Sequence, residues 1–285
     1  MSCSGMAAVH SIGYTIPAGR KKRTMKKTDM LTIMLSWNRP VLLEQTVRSY
    51  YRTVSVNNEL IVVDNGSEEE TATCLRSLER EYGFRAVYVK ENIGGLAFNL
   101  FLNDTNCGFV HFSENDIEYR PGWDTELLHK LEVFPEVGQI SPFAPVPQYE
   151  LGEIAGERPA TLVERGSDAV FLAAQNVGTT SVVRNELIKL GLRWENYVRH
   201  AFHFPADGMF SLNVKRLGKE VAFNDRYVVT NWGHNIKEFQ RETAYYVNNC
   251  LAKDWLLISG WEKRLKKSGY RLVRTDDGSY LIERE

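Results

Sequence analysis

Residues 31–40 read LTIMLSWNRP, and residues 59–67 read ELIVVDNGS. Each segment is a continuous apolar run that ends in a polar loop, which is the pattern of a strand buried on both faces. Pro40 cannot continue a strand but suits the first turn of a helix. The apolar spacing of Leu43, Val47 and Tyr50 then predicts that helix. Together the two segments predict a strand–helix–strand unit.

The same alternation continues to residue 116. The sequence predicts further elements at 68–82 (helix), 86–89 (strand), 93–102 (helix) and 109–112 (strand). Strands that alternate with helices are connected by crossovers and form a mainly parallel sheet, which gives a Rossmann-like α/β half. In such sheets ligands bind beyond the carboxyl ends of the strands. We therefore expect four polar loops at one rim, at residues 36–40, 64–67, 90–95 and 113–118.

The second half of the chain is less regular. We predict helices over 123–131, 210–217 and 257–265, strand material over 171–183, 221–223 and 227–230, and a connection or flap over 142–168. The sequence Asp276-Asp277-Gly278 between two apolar segments predicts a C-terminal hairpin.

Composition excludes several classes of protein. The net charge of the 285 residues is −1, so the charge favours neither nucleic acid nor membrane. The first 30 residues carry six Lys/Arg against one acid, which predicts a flexible basic tail compatible with only weak peripheral contact with a membrane. No apolar run has the length of a membrane span. The four cysteines form no CxxC motif, which favours a reduced, cytoplasmic setting.

Acidic residues at the predicted rim are candidates for chemistry. Glu114 and Asp116 follow the fourth strand with one residue between them, so both carboxylates are able to approach Mg²⁺ or Mn²⁺, and a nucleotide diphosphate would share that ion. Asp64 follows the second strand and is a candidate nucleoside contact or a turn residue. Asp207 precedes a helix and is a candidate general base or N-cap.

Two other segments are candidates for binding. Gly94 and Gly95 would let the backbone approach a ligand closely. His234 lies on a predicted loop between Gly and Asn residues, where an imidazole would be able to complete a metal site.

Taken in order, these segments resemble the family-2 type of GT-A-fold glycosyltransferases. Residues 31–40 and 59–67 resemble the first two sequence blocks of that family. Asn92 with Gly94 and Gly95 is similar to a third block, and Glu114-Asn115-Asp116 falls where the family carries its DxD metal motif. The resemblance covers about residues 30–236.

The resemblance implies a metal-dependent, inverting transfer of a hexosyl or deoxyhexosyl group from a UDP-, dTDP- or GDP-sugar to a hydroxyl of a glycan or other acceptor. It assigns the catalytic base to Asp207 and the Mn²⁺ or Mg²⁺ ion to Asp116, Glu114 and His234. The donor would be bound by a set of polar and glycine residues: Ser36, Asn38, Arg39, Asp64, Asn65, Asn92, Gly94, Gly95 and Asn115.

The resemblance also implies a division of the chain. Residues 1–29 would be the basic tail, 30–118 the nucleotide-sugar-binding half of a GT-A domain, 119–236 its acceptor and catalytic half, and 237–285 an extension with a helix and a hairpin.

Three residues depart from the family pattern. Glu114 replaces an Asp, Ala206 stands where a Glu usually precedes the catalytic Asp, and Asn65 replaces an acid that contacts the base in some relatives. Two alternatives therefore stay open: a non-catalytic nucleotide-sugar-binding module and a nucleotidyltransferase. The second would be expected to have a Gly-rich loop after the first strand, where this sequence has Ser36-Trp37-Asn38-Arg39-Pro40.

Overall fold

The computed structural model describes residues 14–15, 28–103, 105–199, 202–253 and 255–285; the side chains of 14–15 and 255–257 are outside this description. Most of the predicted basic tail, including its six basic residues, lies outside the described residues. No helix of the described part is both long and apolar enough to cross a membrane.

The first half alternates strands and helices as predicted. Its elements are β1 (Tyr14–Thr15), β2 (Thr28–Ser36), α1 (Pro40–Thr53), β3 (Asn58–Asn65), α2 (Glu69–Tyr82), β4 (Arg85–Val89), a 3₁₀ helix (Gly94–Phe101) and β5 (Cys107–Glu114). The helix predicted over 93–102 is thus a 3₁₀ helix. β1, within the predicted tail, pairs antiparallel with β4.

The second half contains more and shorter elements. They are β6 (Ile117–Tyr119), α3 (Trp123–Val133), β7 (Val137–Ser141), a 3₁₀ helix (Tyr149–Leu151), β8 (Ala160–Arg165), β9 (Asp168–Ala173), β10 (Ser181–Arg184), α4 (Asn185–Lys189), β11 (Asn196–Arg199), β12 (Phe202–Pro205), α5 (Asp207–Arg216), β13 (Glu220–Asn224), β14 (Val229–Asn231) and a 3₁₀ helix (Trp232–His234). The C-terminal extension adds α6 (Ile236–Arg241), α7 (Thr243–Lys253), α8 (Trp255–Lys267), β15 (Tyr270–Arg274) and β16 (Tyr280–Arg284).

The predicted flap over 142–168 is partly wrong, because its last third forms β8. This strand is at the edge of the sheet and pairs only with β9 among the described residues. Most of its side chains are exposed. It therefore has a polar sequence that does not show the apolar pattern of a buried strand.

One sheet organises the molecule. Its ten strands have the order β1-β4-β3-β2-β5-β10-β7-β13-β9-β8. β1, β9 and β10 run opposite to the other seven, so the sheet is mainly parallel in direction, as predicted. The order around β2 is the result of the right-handed crossovers expected of such units.

Helices cover both faces of the sheet. In β2, Met30 and Met34 pack into one apolar cluster with α1 and α3, whereas Leu31, Ile33 and Leu35 pack into a second cluster on the opposite face. Because both faces are buried, the strand is a continuous apolar run rather than an alternating one. A third apolar cluster lies mostly within α6, α7, α8 and β16.

Candidate active site

The strands β2, β3 and β5 end side by side, and hydrogen bonds join the loops that follow them. The side-chain amide of Asn115 donates to the carbonyl oxygen of Asn38 at 2.8 Å and to Ser36 Oγ at 3.4 Å. The backbone N–H of Asn38 donates to Ser67 Oγ at 2.9 Å. Three of the four predicted rim loops are therefore held in a fixed relation by the polar residues at the strand ends.

Asn38 and Arg39 form a strained turn. Their φ angles are 55° and 56°, and no other non-glycine residue of the described part has a positive φ. Such conformations cost about 1–3 kcal/mol each and occur mostly at functional sites. The turn directs the Arg39 guanidinium at the end of β5, where it donates to Asp116 Oδ2 at 2.9 Å and to Asn115 Oδ1 at 2.8 Å.

The end of β3 supplies a buried carboxylate. Asp64 is 3% exposed, and its Oδ1 accepts from the backbone N–H of Ser67 at 3.3 Å. Burial raises the pKa of Asp64, with the Ser67 hydrogen bonds opposing the shift. Asn65 beside it is used inside the protein: its amide donates to Asn92 Oδ1 at 2.9 Å, and its oxygen accepts from the Ile93 N–H at 3.0 Å.

Gly94 and Gly95 permit a close approach of the chain to itself. A Cβ at Gly94 would lie 2.6 Å from Asn196 Oδ1, and one at Gly95 would lie 2.9 Å from Pro205 Cα. The small residues therefore allow β11 and β12 to pack against the 3₁₀ helix that follows β4. This packing brings the segment before α5 towards the ends of the parallel strands.

The predicted metal residues lie at the junction of β5 with β6 and in the 3₁₀ helix that follows β14. Glu114 ends β5, Asp116 precedes β6, and His234 ends the 3₁₀ helix that follows β14. The antiparallel pairing of β6 with β14 brings them together, and Asp116 O accepts from the Trp232 N–H at 2.9 Å. Burial and the neighbouring Asp116 raise the pKa of Glu114 to about 8. Burial, assisted by Arg158, lowers the pKa of His234 to about 4, so this imidazole is neutral at pH 7.

A cavity of about 780 Å³ unites the catalytic and metal candidates. It is lined by Glu114, Asp116, His234 and Asp207, which come from three separate segments of the chain. Asp207 is the first residue of α5, and its Oδ1 accepts from the backbone N–H of Gly208 at 2.8 Å. Ala206 holds the N-cap position, so Asp207 does not cap the helix.

The oxygen atoms next to Gly233 indicate whether the predicted metal residues fit a divalent ion. A Cβ there would overlap Asp116 Oδ2 and would lie 3.2 Å from Asn231 Oδ1. Asn231 Oδ1 is buried and has no hydrogen-bond partner among the described residues. Two carboxylates, an amide oxygen without a partner and a neutral imidazole are donors that suit Mn²⁺ or Mg²⁺.

The fit is incomplete without a ligand. No three His, Cys, Asp or Glu side chains of the described residues are placed to hold a metal ion between them. Arg39 is instead paired with Asp116 Oδ2. The protein donors would therefore need oxygens from a bound nucleotide to complete a coordination shell, as is usual for Mg²⁺ sites.

Sequence reasoning did not find several residues of the cavity. Arg158, from the connection before β8, and Lys253, the last residue of α7, both line it. Tyr245 and Tyr246 of α7 contact Arg39: the guanidinium lies 5.0 Å from the Tyr245 ring centre and donates to Tyr246 Oη at 3.3 Å. These residues lie in irregular or C-terminal segments, where no local pattern indicated a site.

Comparison with known proteins agrees with this fold. Residues 32–151 match the family model of glycosyl transferase family 2. No curated protein matches the sequence at a significant level.

Solved glycosyltransferase structures share the fold. The S. aureus TarS 1–349 structure in complex with UDP-GlcNAc has a TM-score of 0.51 at 15% identity, covering 70% of this chain and 57% of that one. The S. aureus TarS 1–349 structure described without a ligand has a TM-score of 0.55 at 12% identity, covering 85% and 71%. The mannosyltransferase PcManGT from Pyrobaculum calidifontis, in complex with GDP-Man and Mn²⁺, has a TM-score of 0.50 at 15% identity, covering 89% and 78%.

The fold is that of the GT-A glycosyltransferases. The predicted resemblance to the family-2 type is confirmed by the family match together with this fold. This chain spans little more than half the length of the first TarS structure, with 57% covered.

Proposed function

We propose that this protein is a metal-dependent glycosyltransferase that moves a hexosyl or deoxyhexosyl group from a nucleoside-diphosphate sugar to an acceptor hydroxyl, with inversion. The observation that carries the proposal is the convergence of Glu114, Asp116, His234 and Asp207 on one cavity at the carboxyl ends of the parallel strands. UDP-, dTDP- and GDP-sugars are the candidate donors, and a glycan or other hydroxyl compound is the candidate acceptor. The cytoplasmic setting stays a prediction.

In this proposal the loops at the strand ends bind the nucleoside. Asp64 is buried at the end of β3, and Asn38 and Asn115 fix the neighbouring loops around it. Ser36, Asn65, Asn92, Gly94 and Gly95 support these loops from within. Arg39 would contact the donor after exchanging its bond to Asp116 for one to a diphosphate oxygen, since a guanidinium binds phosphate as well as carboxylate.

The cavity residues would carry the transfer. Asp116 and Glu114, with His234 and the amide oxygen of Asn231, would hold a divalent cation, which neutralises charge on the leaving diphosphate when it is bound. Asp207 would accept the proton of the acceptor hydroxyl as that oxygen attacks the anomeric carbon from the face opposite the leaving group. Placement of both substrates in one cavity would lower the entropic part of the barrier.

A donor-hydrolysis screen tests this function. Purified protein is incubated with UDP-, GDP- and dTDP-sugars in Mn²⁺, in Mg²⁺ and in EDTA, and free nucleoside diphosphate is measured. We expect release from one donor, which EDTA and the Asp116→Asn substitution abolish. Because some transferases require their acceptor for turnover, donor binding is measured in parallel from the shift in melting temperature.

The two alternatives give different results in the same experiment. A nucleotide-sugar-binding module would show a melting shift with a donor but no release in any condition, even with an acceptor library present. A nucleotidyltransferase would instead need a nucleoside triphosphate and a sugar phosphate in place of the donors. It would join the two and release pyrophosphate from the triphosphate. If no donor releases nucleoside diphosphate and no donor binds, the assignment of the donor site to Asp64 and Asp116 is wrong.

A further inference from the structure

The C-terminal extension contributes a cation to the cavity. Lys253 is the last residue of α7 and lies more than 130 residues after Asp116, yet it lines the same cavity as Asp116, Glu114 and Asp207. The family match ends at residue 151, so this lysine lies far outside the matched region. Its presence at the site therefore depends on how the extension packs.

Aromatic contacts hold α7 against the strained turn after β2. The Tyr245 ring lies 5.8 Å from the Trp37 ring, and the Tyr246 hydroxyl accepts from Arg39 at 3.3 Å. The same helix packs into the third apolar cluster, where Val247 is buried and the Tyr246 ring lies 6.3 Å from the Trp261 ring. α7 is thus held by contacts with the turn and with the apolar cluster.

Lys253 and Arg158 line the cavity without a carboxylate partner among the described residues, whereas Arg39 has one. Arg39 is paired with Asp116, and the Arg158 guanidinium lies over the Phe143 and Phe223 rings at 5.7 and 5.2 Å. The Lys253 ammonium lies 5.1 Å from the Phe204 ring centre, and no carboxylate of the described residues is within 4.0 Å of it. A partly buried ammonium that lines a cavity is stabilised by an anion that enters the cavity.

The charges that surround Lys253 indicate which part of a donor it would meet. Burial lowers the pKa of Lys253, and Glu114 and Asp207 are close enough to oppose that shift. Of these two acids, Glu114 acts on the lysine more strongly than Asp207 does. Because the leaving diphosphate would bind at the candidate metal residues, a cation that lines the same cavity as Glu114 and Asp116 is suited to the diphosphate rather than to the nucleoside beside Asp64.

We propose that Lys253 binds the diphosphate of the donor, so that the C-terminal extension completes the donor site. The inference rests on the proposed function. A lysine acts on phosphate as a mobile point charge, and the Lys253 ammonium lies over the Phe204 ring, which also lines the cavity. The extension is accordingly part of the active site and not only a cap on the domain.

The test compares nucleotides that differ only in phosphate. Calorimetry with and without Mn²⁺ measures the binding of UDP, UMP and uridine. If the wild type prefers guanosine or thymidine, the corresponding series for that base is used. We expect Lys253→Met to weaken binding of the diphosphate about 10- to 100-fold, as loss of a charged hydrogen bond does. Nucleoside binding should not change, and Lys253→Arg should restore most of the diphosphate affinity.

A matched variant controls for loss of charge on the extension. Lys266→Met removes an exposed lysine of α8 and should bind all three ligands as the wild type does. Equal diphosphate affinity in the wild type and Lys253→Met would overturn the inference and leave the proposed function intact. A parallel loss of nucleoside and diphosphate affinity would also overturn it, since that indicates altered packing. If the wild type binds no nucleoside diphosphate, the proposed function itself is wrong.

Discussion

Asn38 and Arg39 show how single residues organise the rim. A pair of consecutive left-handed non-glycine residues is costly, and the hydrogen bonds of Asn115 and Ser67 to Asn38 offset part of that cost. The result is an arginine aimed at Asp116 rather than at solvent.

Asp207 is the residue whose substitution most directly tests catalysis. Asp207→Asn keeps the shape and the ability to accept from the Gly208 N–H, but the amide cannot take a proton from an acceptor hydroxyl. We expect kcat for sugar transfer to fall by about 10²- to 10⁴-fold with donor affinity unchanged. Radiolabelled sugar transfer and calorimetric donor binding would measure the two effects.

Glu157→Gln is the control for that substitution, because Glu157 also lines the cavity but has an exposed side chain. Its turnover should stay within a few-fold of the wild type. Wild-type turnover in Asp207→Asn would contradict the assignment of the base.

Gly233 is a second informative residue. A methyl group there would overlap Asp116 Oδ2, so Gly233→Ala forces the carboxylate out of its place without touching the sheet. Displacement of a reacting or ion-binding group by about 1 Å costs roughly 100-fold in rate, and we expect a loss of that order in kcat. Turnover is measured over a range of Mn²⁺ concentrations.

Gly156→Ala is the matched control, since a Cβ at Gly156 meets nothing within 4 Å. Melting temperatures of both variants show whether the fold is kept. Unchanged kcat and unchanged Mn²⁺ dependence in Gly233→Ala would show that the position of Asp116 is not critical.

At the scale of elements, His111 links three strands below the site. It is fully buried in β5, with one ring nitrogen 3.1 Å from Ser181 O of β10 and the other 2.8 Å from Tyr119 Oη of β6. The same Tyr119 hydroxyl bonds Ser113, directly before Glu114. The strand end that carries the two acids is therefore held from behind by a neutral imidazole.

The burial of His111 predicts a loss of stability in acid. Burial lowers its pKa from 6.5 to about 4, so the unfolded chain binds more protons than the folded one between these values. The free energy of unfolding should therefore decrease as the pH falls through this window, and this group would contribute about 2–3 kcal/mol between pH 7.5 and 4.5.

Urea unfolding at the two pH values, in the wild type and in His111→Gln, would measure this contribution. The variant should be less stable at pH 7.5. However, its free energy of unfolding should change less between the two pH values than that of the wild type, by about 2–3 kcal/mol. An equal pH dependence in both proteins would show that His111 does not carry it.

At the scale of the whole molecule, the extension contains most of the third apolar cluster, which Ile154 joins from outside the extension, and it contacts the rest of the protein through polar, aromatic and apolar side chains. Trp261 is 7% exposed and packs against Phe239 and Tyr246. Removal of a buried Trp side chain costs about 3–5 kcal/mol. Because the cluster is separate from the two that cover the sheet, we expect Trp261→Ala to loosen the extension before the sheet.

Hydrogen exchange measured by mass spectrometry tests this expectation. In Trp261→Ala, peptides from 236–285 should exchange faster, while peptides from 28–114 should keep their wild-type rates. A uniform increase over the whole chain would instead show that the extension and the sheet unfold as one cooperative unit.

The elements of the first half were predictable because their signals are local. The apolar runs of β2 and β3, the helix after Pro40 and the polar strand ends follow from neighbouring residues alone, and the parallel sheet follows from their alternation. β7 and β8 were not predicted, since one lies among prolines and the other is a polar edge strand. The 3₁₀ form of Gly94–Phe101 also depends on the backbone packed against Gly94 and Gly95.

The sequence of the strand-end loops was enough to nominate Asp64, Glu114 and Asp116, because carboxylates after buried strands fall on one rim of a parallel sheet. For Asp207 and His234 the local sequence left structural and functional interpretations open, and the resemblance to a family supplied their roles as base and metal ligand. That these side chains share one cavity, that Arg39 pairs with Asp116, and that Lys253 enters from the extension were decided by the tertiary structure. The physical reason is distance along the chain: such contacts depend on strand register and on helix packing between segments that no local pattern connects.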